Sequence, residues 1–480
     1  MRQLFQFLLL AGGCLFALTA SLPAGNWAQF RGPNATGRPE REEPLPDQIG
    51  PETNVLWKTA LPKGHSSPAI FGDRIYLTGE HEGKLATIAL DRATGSILWQ
   101  VEAPHQSLED VHAAASLATP SPATDGHVVV SFFGSCGLFC YDRDGKPLWQ
   151  RAMGPFKNDF GSGSSPILVD DRVILCQDHD TDSFITAIDK RTGDAIWRTD
   201  RSEFPRNYCT PVIWEVAGKK QIVVAATLRI VAYDFETGQE IWTIRGVARI
   251  VNMTPVVGDD GILYAACWSP GGDDANRITT APFDDVVKEC DADKNGMIDV
   301  NEAPRGPVKE RFTQIDRDKD GQITRAEYES MRKVFEGARN VVVAVKPGGQ
   351  GDITDTHVLW RYKKEIPYCP SPVYYRGQIF MIRNGGVLAV VDAKTGEPLK
   401  QGRISATGDY YSSPVAGDGK VFLINQHGQL TVLDAAAGWR EISSSDFGED
   451  AYASPAIVDG RIYVRTSGHL YCFGLPKSQP

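Results

Sequence analysis

Residues 66–77 read SSPAIFGDRIYL: a Ser-Pro step, an apolar run, a polar turn and a second apolar run. Proline suits the first residue of a strand, where no ladder donor is lost. Glycine with aspartate suits the hairpin that follows. The pattern recurs eight times, at Pro68, Pro122, Pro166, Pro211, Pro255, Pro372, Pro414 and Pro455. Successive prolines stand 54, 44, 45, 44, 117, 42 and 41 residues apart, so a single interval is about seventy residues too long.

A second motif lies between the prolines: LDRATGSILW (90–99), YDRDGKPLW (141–149), IDKRTGDAIW (188–197) and YDFETGQEIW (233–242). VDAKTGEPLK (391–400) and LDAAAGWREI (433–442) keep the turn but lose the terminal Trp. Asp stabilises the turn entry and Gly takes its positive-φ position. The Trp is a large apolar plate that can pack one repeat against the next. Each unit therefore reads as four strands, A to D; in the first these are PAIF, RIYLTG, LATIALD and SILWQ. Four-strand units of this length are the signature of a β-propeller. The last repeat stops after its third strand, HLYCFG, while an orphan strand with Trp57, NVLWKTAL (54–61), precedes the first. That orphan can complete the last blade and remove its open edge. The predicted fold is all-β: an eight-bladed propeller of four-stranded antiparallel blades, closed by the N-terminal strand.

These repeats resemble those of PQQ-like β-propellers, the family that includes quinoprotein alcohol dehydrogenases and the assembly lipoprotein BamB. The opening NWAQFRGPNATG (26–37), and GSGSSP with its sequel QDHDTDSF, are similar to exported bacterial members of unassigned role. The resemblance covers about residues 26–475 apart from the long interval. It implies the fold strongly and an activity weakly.

The net charge is −10 and no basic stripe appears, which argues against nucleic acid. Arg2, an apolar run from Leu4 to Leu18 and then small residues follow the order of a secretory signal, with cleavage after Ala20, Ser21 or Ala24. The run is short for a membrane span. AGGC, ending at Cys14, is similar to a lipoprotein box, but Leu10 stands one place too far away and apolar sequence continues past the cysteine. A cleaved signal is therefore preferred to a lipid anchor at Cys14, and the mature protein is expected to be exported, periplasmic or secreted. Cys140 and Cys472 sit at strand positions and read as small buried hydrophobes. The expected organisation is a signal over 1–24, a lead segment over 25–53, propeller over 54–270, an insert over 271–339, propeller again over 340–475, and a tail over 476–480.

The long interval holds DADKNGMIDVNE (291–302) and DRDKDGQITRAE (316–327). An EF-hand loop offers Ca²⁺ oxygen ligands from positions 1, 3, 5, 7, 9 and 12, with Gly at position 6. In the first loop these are Asp291, Asp293, Asn295, the Met297 carbonyl, Asp299 and Glu302; in the second, Asp316, Asp318, Asp320, the Gln322 carbonyl, Thr324 and Glu327. Gly296 and Gly321 fill the turns, and Ile298 and Ile323 stand at position 8, where paired loops join by a short bridge. Helical spacing flanks the loops at Phe283, Val286, Val287 and Cys290, then at Val308, Phe312 and Ile315, then at Tyr328, Met331 and Phe335. APRGP (303–307) cuts the first exit helix short. Two bound Ca²⁺ ions are expected, acting as a constitutive clip. Blade 5 has strand B at ILYAACW (262–268) and strand C at NVVVAV (340–345), so the insert is a B–C loop at the mouth of the central channel.

The residue three before each motif proline is expected near that mouth: His65, Thr119, Gly163, Tyr208, Asn252, Cys369, Tyr411 and Tyr452, with Arg206, Asn207, Cys209, Tyr368, Asp409, Tyr410 and Asp450 close by. Aromatic walls with a few polar groups suit a ligand site, although the same residues could simply plug the channel. The resemblance implies, for active quinoproteins, PQQ beneath two adjacent bonded cysteines on a Trp floor, beside its own Ca²⁺. This sequence has no adjacent cysteine pair, so PQQ is not expected. His65, His112 and His179 lack partners at a spacing that marks a metal or nucleophile site, and no catalytic residue is named. The preferred reading is a monomeric, non-catalytic binding or scaffold propeller whose partner is a protein, peptide or envelope glycan. The alternative is a divergent PQQ-dependent oxidoreductase, or another enzyme with its site in the channel.

Overall fold

Each Ser/Thr-Pro step opens the innermost strand of a blade. The computed structural model describes residues 25–476 except 106, 107, 110, 113, 159 and 181. The expected signal with Cys14 and the tail beyond residue 476 lie outside the described residues. In blade 1, strands A to D are Ala69–Phe71, Arg74–His81, Lys84–Asp91 and Ile97–Glu102, hydrogen-bonded in that order. Seven further blades follow the same A-B-C-D order, six of four strands and one, blade 4, of five. Blade 8 takes its outer strand from the N-terminal side: Val55–Ala60 pairs antiparallel with His469–Gly474, Trp57 opposite Cys472. Strands B and C carry nearly continuous buried apolar runs, because both faces of each blade lie against a neighbour. Cys140 and Cys472 are fully buried there.

The Ser/Thr before each proline has a specific task. Its hydroxyl oxygen accepts the backbone N–H of the equivalent residue one blade back. The bonds run from Ser67 to Ser121, Ser165, Thr210, Thr254, Ser371, Ser413, Ser454 and back to Ser67, at 2.9–3.3 Å. Eight buried donors are thus satisfied by one closed ring around the channel.

The Trp and the Gly of the second motif are two halves of one joint. Trp57, Trp99, Trp149 and Trp197 each donate an indole N–H to a backbone carbonyl in the next blade's C–D turn, at 2.8–3.2 Å. Their rings cover the turn glycines Gly95, Gly145, Gly193 and Gly238. A Cβ on Gly238 would lie 2.4 Å from the Trp197 ring, at a φ of +71°. Gly238→Ala is therefore expected to cost about 2–4 kcal/mol from overpacking and left-handed strain. A lowered urea midpoint at unchanged slope checks this.

Blade 5 departs from the pattern twice. The helical insert leaves after strand B (Leu263–Cys267) and returns at strand C (Val341–Val345), where expected. The C–D connection then replaces the usual tight turn with a longer path. Its Gly351–Asp352 pairs parallel with strand D of blade 4 (Glu240–Arg245), adding a fifth strand to that blade. Without the tight turn, the Trp signal of blade 5 escapes a motif search. It is Trp360, which bonds Ala393 O at 3.0 Å and covers Gly396 as its counterparts do.

The lead segment lies across the end of the channel opposite the insert. Trp27 exchanges two backbone hydrogen bonds with Ile70, and Asn34 does the same through its amide with Ile213. Arg31 is fully buried, with donors on the carbonyls of Ala35, Ser371 and Pro372. Burial without a carboxylate pulls its pKa down to about 9. Arg38 then forks onto Asp259 at 2.7 and 2.8 Å. The lead segment thereby ties blades 1, 4, 5 and 6 together at this end.

Candidate functional site

The insert has its own apolar core. Helices α1 (Phe283–Cys290), α2 (Pro307–Glu310), α3 (Phe312–Ile315) and α4 (Arg325–Gly337) bury Phe283, Val286, Val308, Phe312, Ile315, Tyr328, Met331 and Phe335 around Ile298 and Ile323. Residues 303–306 form no helix, in line with the breaker APRGP. The two acidic loops join through Ile298 opposite Ile323 and Asp299 opposite Gln322.

Both loops fold the same way. Gly296 and Gly321 have φ of +79° and +90°, and their N–H groups donate to Asp291 and Asp316 at 2.9 and 3.0 Å. Glu302 accepts from Ala292 N and Asp299 N at 2.8 and 3.0 Å; Glu327 accepts from Arg317 N and Thr324 N, both at 2.9 Å. Ligand oxygens of Asp291, Asp293 and Glu302 fall within 4.8 Å of one another, and so do those of Asp316, Asp318 and Asp320. Asn295 donates its amide to Asp293 and accepts from Met297 N. Thr324 caps α4, donating to Glu327 at 2.7 Å. Asp316 is 5% exposed and its Oδ1 is a buried oxygen with no hydrogen-bond partner. Burial pushes its carboxyl pKa up. A hard cation needs such converging oxygens, and a buried oxygen without a donor lacks what a cation would supply.

The second loop is the part that sits down on the propeller. Arg317 donates to Asp180 O at 3.1 Å and to Ser202 O at 3.0 Å. Lys157 donates to Asp318 O, Arg206 to Thr313 O at 3.0 Å, and Arg249 to Gln314 Oε1 at 3.1 Å. The propeller partners lie on the B–C loop of blade 3 and on the D–A connections of blades 2, 3 and 4, which rim the mouth. Two buried ion pairs stiffen that rim. Asp178 receives Arg201 Nε and Nη2, both at 2.8 Å, and Asn207 at 3.2 Å; Arg201 also donates to Tyr233. Asp180 pairs with Arg206, and Lys319 of the insert stands 3.8 Å away.

The eight positions before the prolines are all partly exposed, and several meet across blades. His65 stacks on Tyr452 at 3.9 Å, and Tyr411 stands 5.4 Å from Tyr452. Gln426 donates to the Tyr452 hydroxyl at 3.0 Å. Tyr208 donates to Asn158 at 2.7 Å and meets Phe160 edge-on. Asn252 donates to Tyr368 O at 3.2 Å and approaches Cys369 Sγ at 3.6 Å. Burial pushes the Cys369 thiol up to about 12, away from nucleophile chemistry. Cys209 does not belong to the mouth: it is buried in the apolar core with Val212 and Val224, because the residue after Tyr208 points the opposite way. Tyr410 is likewise buried, bonded to Ala406 O. No disulfide joins the eight described cysteines.

Two histidines report on pH. His65 is pulled down to about 4 by burial and by Arg465, and His179, stacked on Phe156 at 3.9 Å, to about 3 by burial. Both folded values lie below the unfolded value, so the unfolded chain binds more protons as pH falls. Stability present above pH ~6.5 is therefore expected to be lost progressively towards pH 4. His179→Leu should flatten that decline in urea midpoints, and an unchanged decline would remove His179 from the explanation.

Eight blades, five of whose seams carry the Trp–Gly joint, and an N-terminal closing strand define a PQQ-like β-propeller. The chain belongs to the family described as outer membrane protein assembly factor BamB, which matches over residues 51–156, 89–267 and 309–479. Residues 268–308, with the first acidic loop, fall outside that match. BamB of Yersinia pestis is 26% identical over 255 residues, 47% of this chain and 59% of that protein. The chain thus spans less than two thirds of that relative's length. Among solved structures, BamB from Moraxella catarrhalis shares the fold at a TM-score of 0.54 and 15% identity, over 88% of this chain and 99% of that one. The quinohemoprotein alcohol dehydrogenase of Comamonas testosteroni does so at 0.54 and 14%, over 95% and 82%. No helix among the described residues is long and apolar enough to cross a membrane.

Proposed function

We propose that this chain is an exported, non-catalytic propeller whose mouth binds a partner, with an EF-hand pair holding two Ca²⁺ ions as a clip beside the binding face. The observation that carries this is the seat of the second acidic loop. Residues 313–319 enter and open that loop, and the same residues touch the rim of blades 2 to 4. A cation on Asp316, Asp318, Asp320, Gln322, Thr324 and Glu327 would fix the backbone that carries Arg317 and Lys319. The first ion would use Asp291, Asp293, Asn295, Met297, Asp299 and Glu302. Millimolar calcium outside the cytoplasm suffices to fill even a weak loop.

The Yersinia pestis relative is named as an outer membrane protein assembly factor, which favours a polypeptide over a glycan as partner. The mouth residues that would meet it are His65, Tyr208, Asn252, Tyr368, Cys369, Tyr411 and Tyr452. PQQ fits this mouth poorly. Its three carboxylates call for cationic groups, yet Arg206 is engaged by Asp180 and Arg465 by Ser66 and Pro62. The experiment compares polypeptides retained from envelope extracts by three baits: full-length protein in Ca²⁺, the same protein in chelator, and a variant lacking residues 281–339. Species lost in both the second and the third support the reading, whereas identical sets in all three remove the insert from it.

A further inference from the structure

Strand D is the outermost strand of every blade except blade 4, so its outer backbone edge faces solvent unless something covers it. The residue before the D-strand Trp is an exposed aliphatic at the same register around the rim: Leu56, Leu98, Leu148, Ile196 and Leu359 are 43–50% exposed. The exception is Ile241 of blade 4, which is half-buried. There the chain has covered its own edge. Gly351–Asp352 pairs parallel with Trp242 and Thr243, Ile353 N donates to Thr243 O at 2.9 Å, and Arg245 N donates to Thr354 Oγ1 at 2.9 Å. Ile353 is 2% exposed as a result. One rim edge therefore already displays its complement: an extended strand carrying a single aliphatic side chain.

Blade 3 offers a matching edge together with a groove. Arg198 follows Trp197 and pairs with Thr186, as Thr243 follows Trp242 and pairs with Val231. By that register Arg198 turns its backbone N–H and C=O outward, as Thr243 does. Beside this edge lies a groove of about 310 Å³ with Met153, Phe156 and Phe184 on its walls and Arg151, Arg198 and Asp182 at its rim. The volume suits one or two side chains, and two arginines against one carboxylate favour a neutral or acidic strand.

We propose that the outer strand of blade 3, Ala195–Asp200, is a docking site for an extended segment of a partner polypeptide. The segment adds to the sheet as a fifth strand and places an aliphatic or aromatic side chain in the groove between Phe156 and Phe184. Main-chain bonds supply affinity and the groove supplies selectivity, as in other strand-addition complexes. This site uses none of the candidate mouth residues named above and does not depend on the calcium reading.

The probe is a synthetic nine-residue peptide copying residues 349–357, the chain's own covering strand, added to full-length protein. Amide hydrogen exchange is followed over residues 195–200. Slower exchange there with added peptide is expected, together with about a tenfold loss of affinity in Arg198→Pro, which removes an outward N–H and no ladder bond. Ile196→Ser, at an exposed position, should weaken binding as well, and melting temperatures show that both variants fold. A peptide carrying Asp in place of its isoleucine should bind neither wild type nor variants. Unchanged exchange at millimolar peptide, or binding indifferent to both substitutions, overturns the proposal. Concentration-dependent dimerisation that Arg198→Pro abolishes overturns it too, by making a second copy the occupant.

Discussion

Arg201→Leu is expected to cost the folded protein about 3–5 kcal/mol, the usual penalty for stripping a buried carboxylate of its partner. Arg201 and Asp178 are among the most buried charged side chains here, at 0% and 1% side-chain exposure. The guanidinium forks onto Asp178, donates to Tyr233 and stacks over Phe204 at 4.3 Å. Leucine fills part of the volume but leaves Asp178 facing only Asn207 and the Cys176 thiol. The loss extends to function, because the two loops tied by this pair also carry Asp180 and Ser202, on which Arg317 rests. The insert should therefore become easier to cleave with protease in the same variant. Replacing both partners, Asp178→Leu with Arg201→Leu, should recover much of the loss, since no charge is then stranded. Urea unfolding of the two variants measures this; a cost below about 1 kcal/mol for Arg201→Leu would mean that water reaches the pair.

The second large effect concerns metal. Ca²⁺ at a hundred to a thousand times its dissociation constant should stabilise the protein by about 3–4 kcal/mol per site through mass action. Asp316→Asn should remove the share that belongs to the second loop. In chelator the same substitution should be neutral or stabilising, because it takes away a buried carboxylate oxygen that has no donor. That opposite sign separates a metal ligand from an ordinary structural aspartate. Melting curves in calcium and in chelator read both arms, and a variant destabilised equally in each would mean that Asp316 serves the loop's own hydrogen bonds alone.

The repeats made the propeller legible because their signals are local. Ser/Thr-Pro and the Gly turn act within a few residues, and the orphan Trp57 strand could be matched to a blade missing its fourth strand. The task of each element was less legible. The hydroxyl ring joins residues more than forty positions apart, and Ser454 to Ser67 only through closure. Trp360 was missed because the turn that announces its counterparts is replaced by the strand covering blade 4. Arg31 reads as part of a family opening, while its partners Ser371 and Pro372 lie 340 and 341 residues on. At the insert, loop spacing pointed to acidic side chains that the fold brings within 4.8 Å of one another, whereas Arg317, outside the expected ligand positions, carried no sign of its seat on Asp180. Cys209 was placed at the mouth by adjacency to Tyr208, and strand alternation turns it into the core instead.

Calcium titration of the full-length protein by calorimetry tests the central claim most directly. The account predicts two ions per chain, falling to one in Asp316→Asn, with residues 313–319 protected from hydrogen exchange only in the loaded wild type. An isotherm showing no binding at millimolar Ca²⁺, or two ions bound without added protection of that segment, would contradict it.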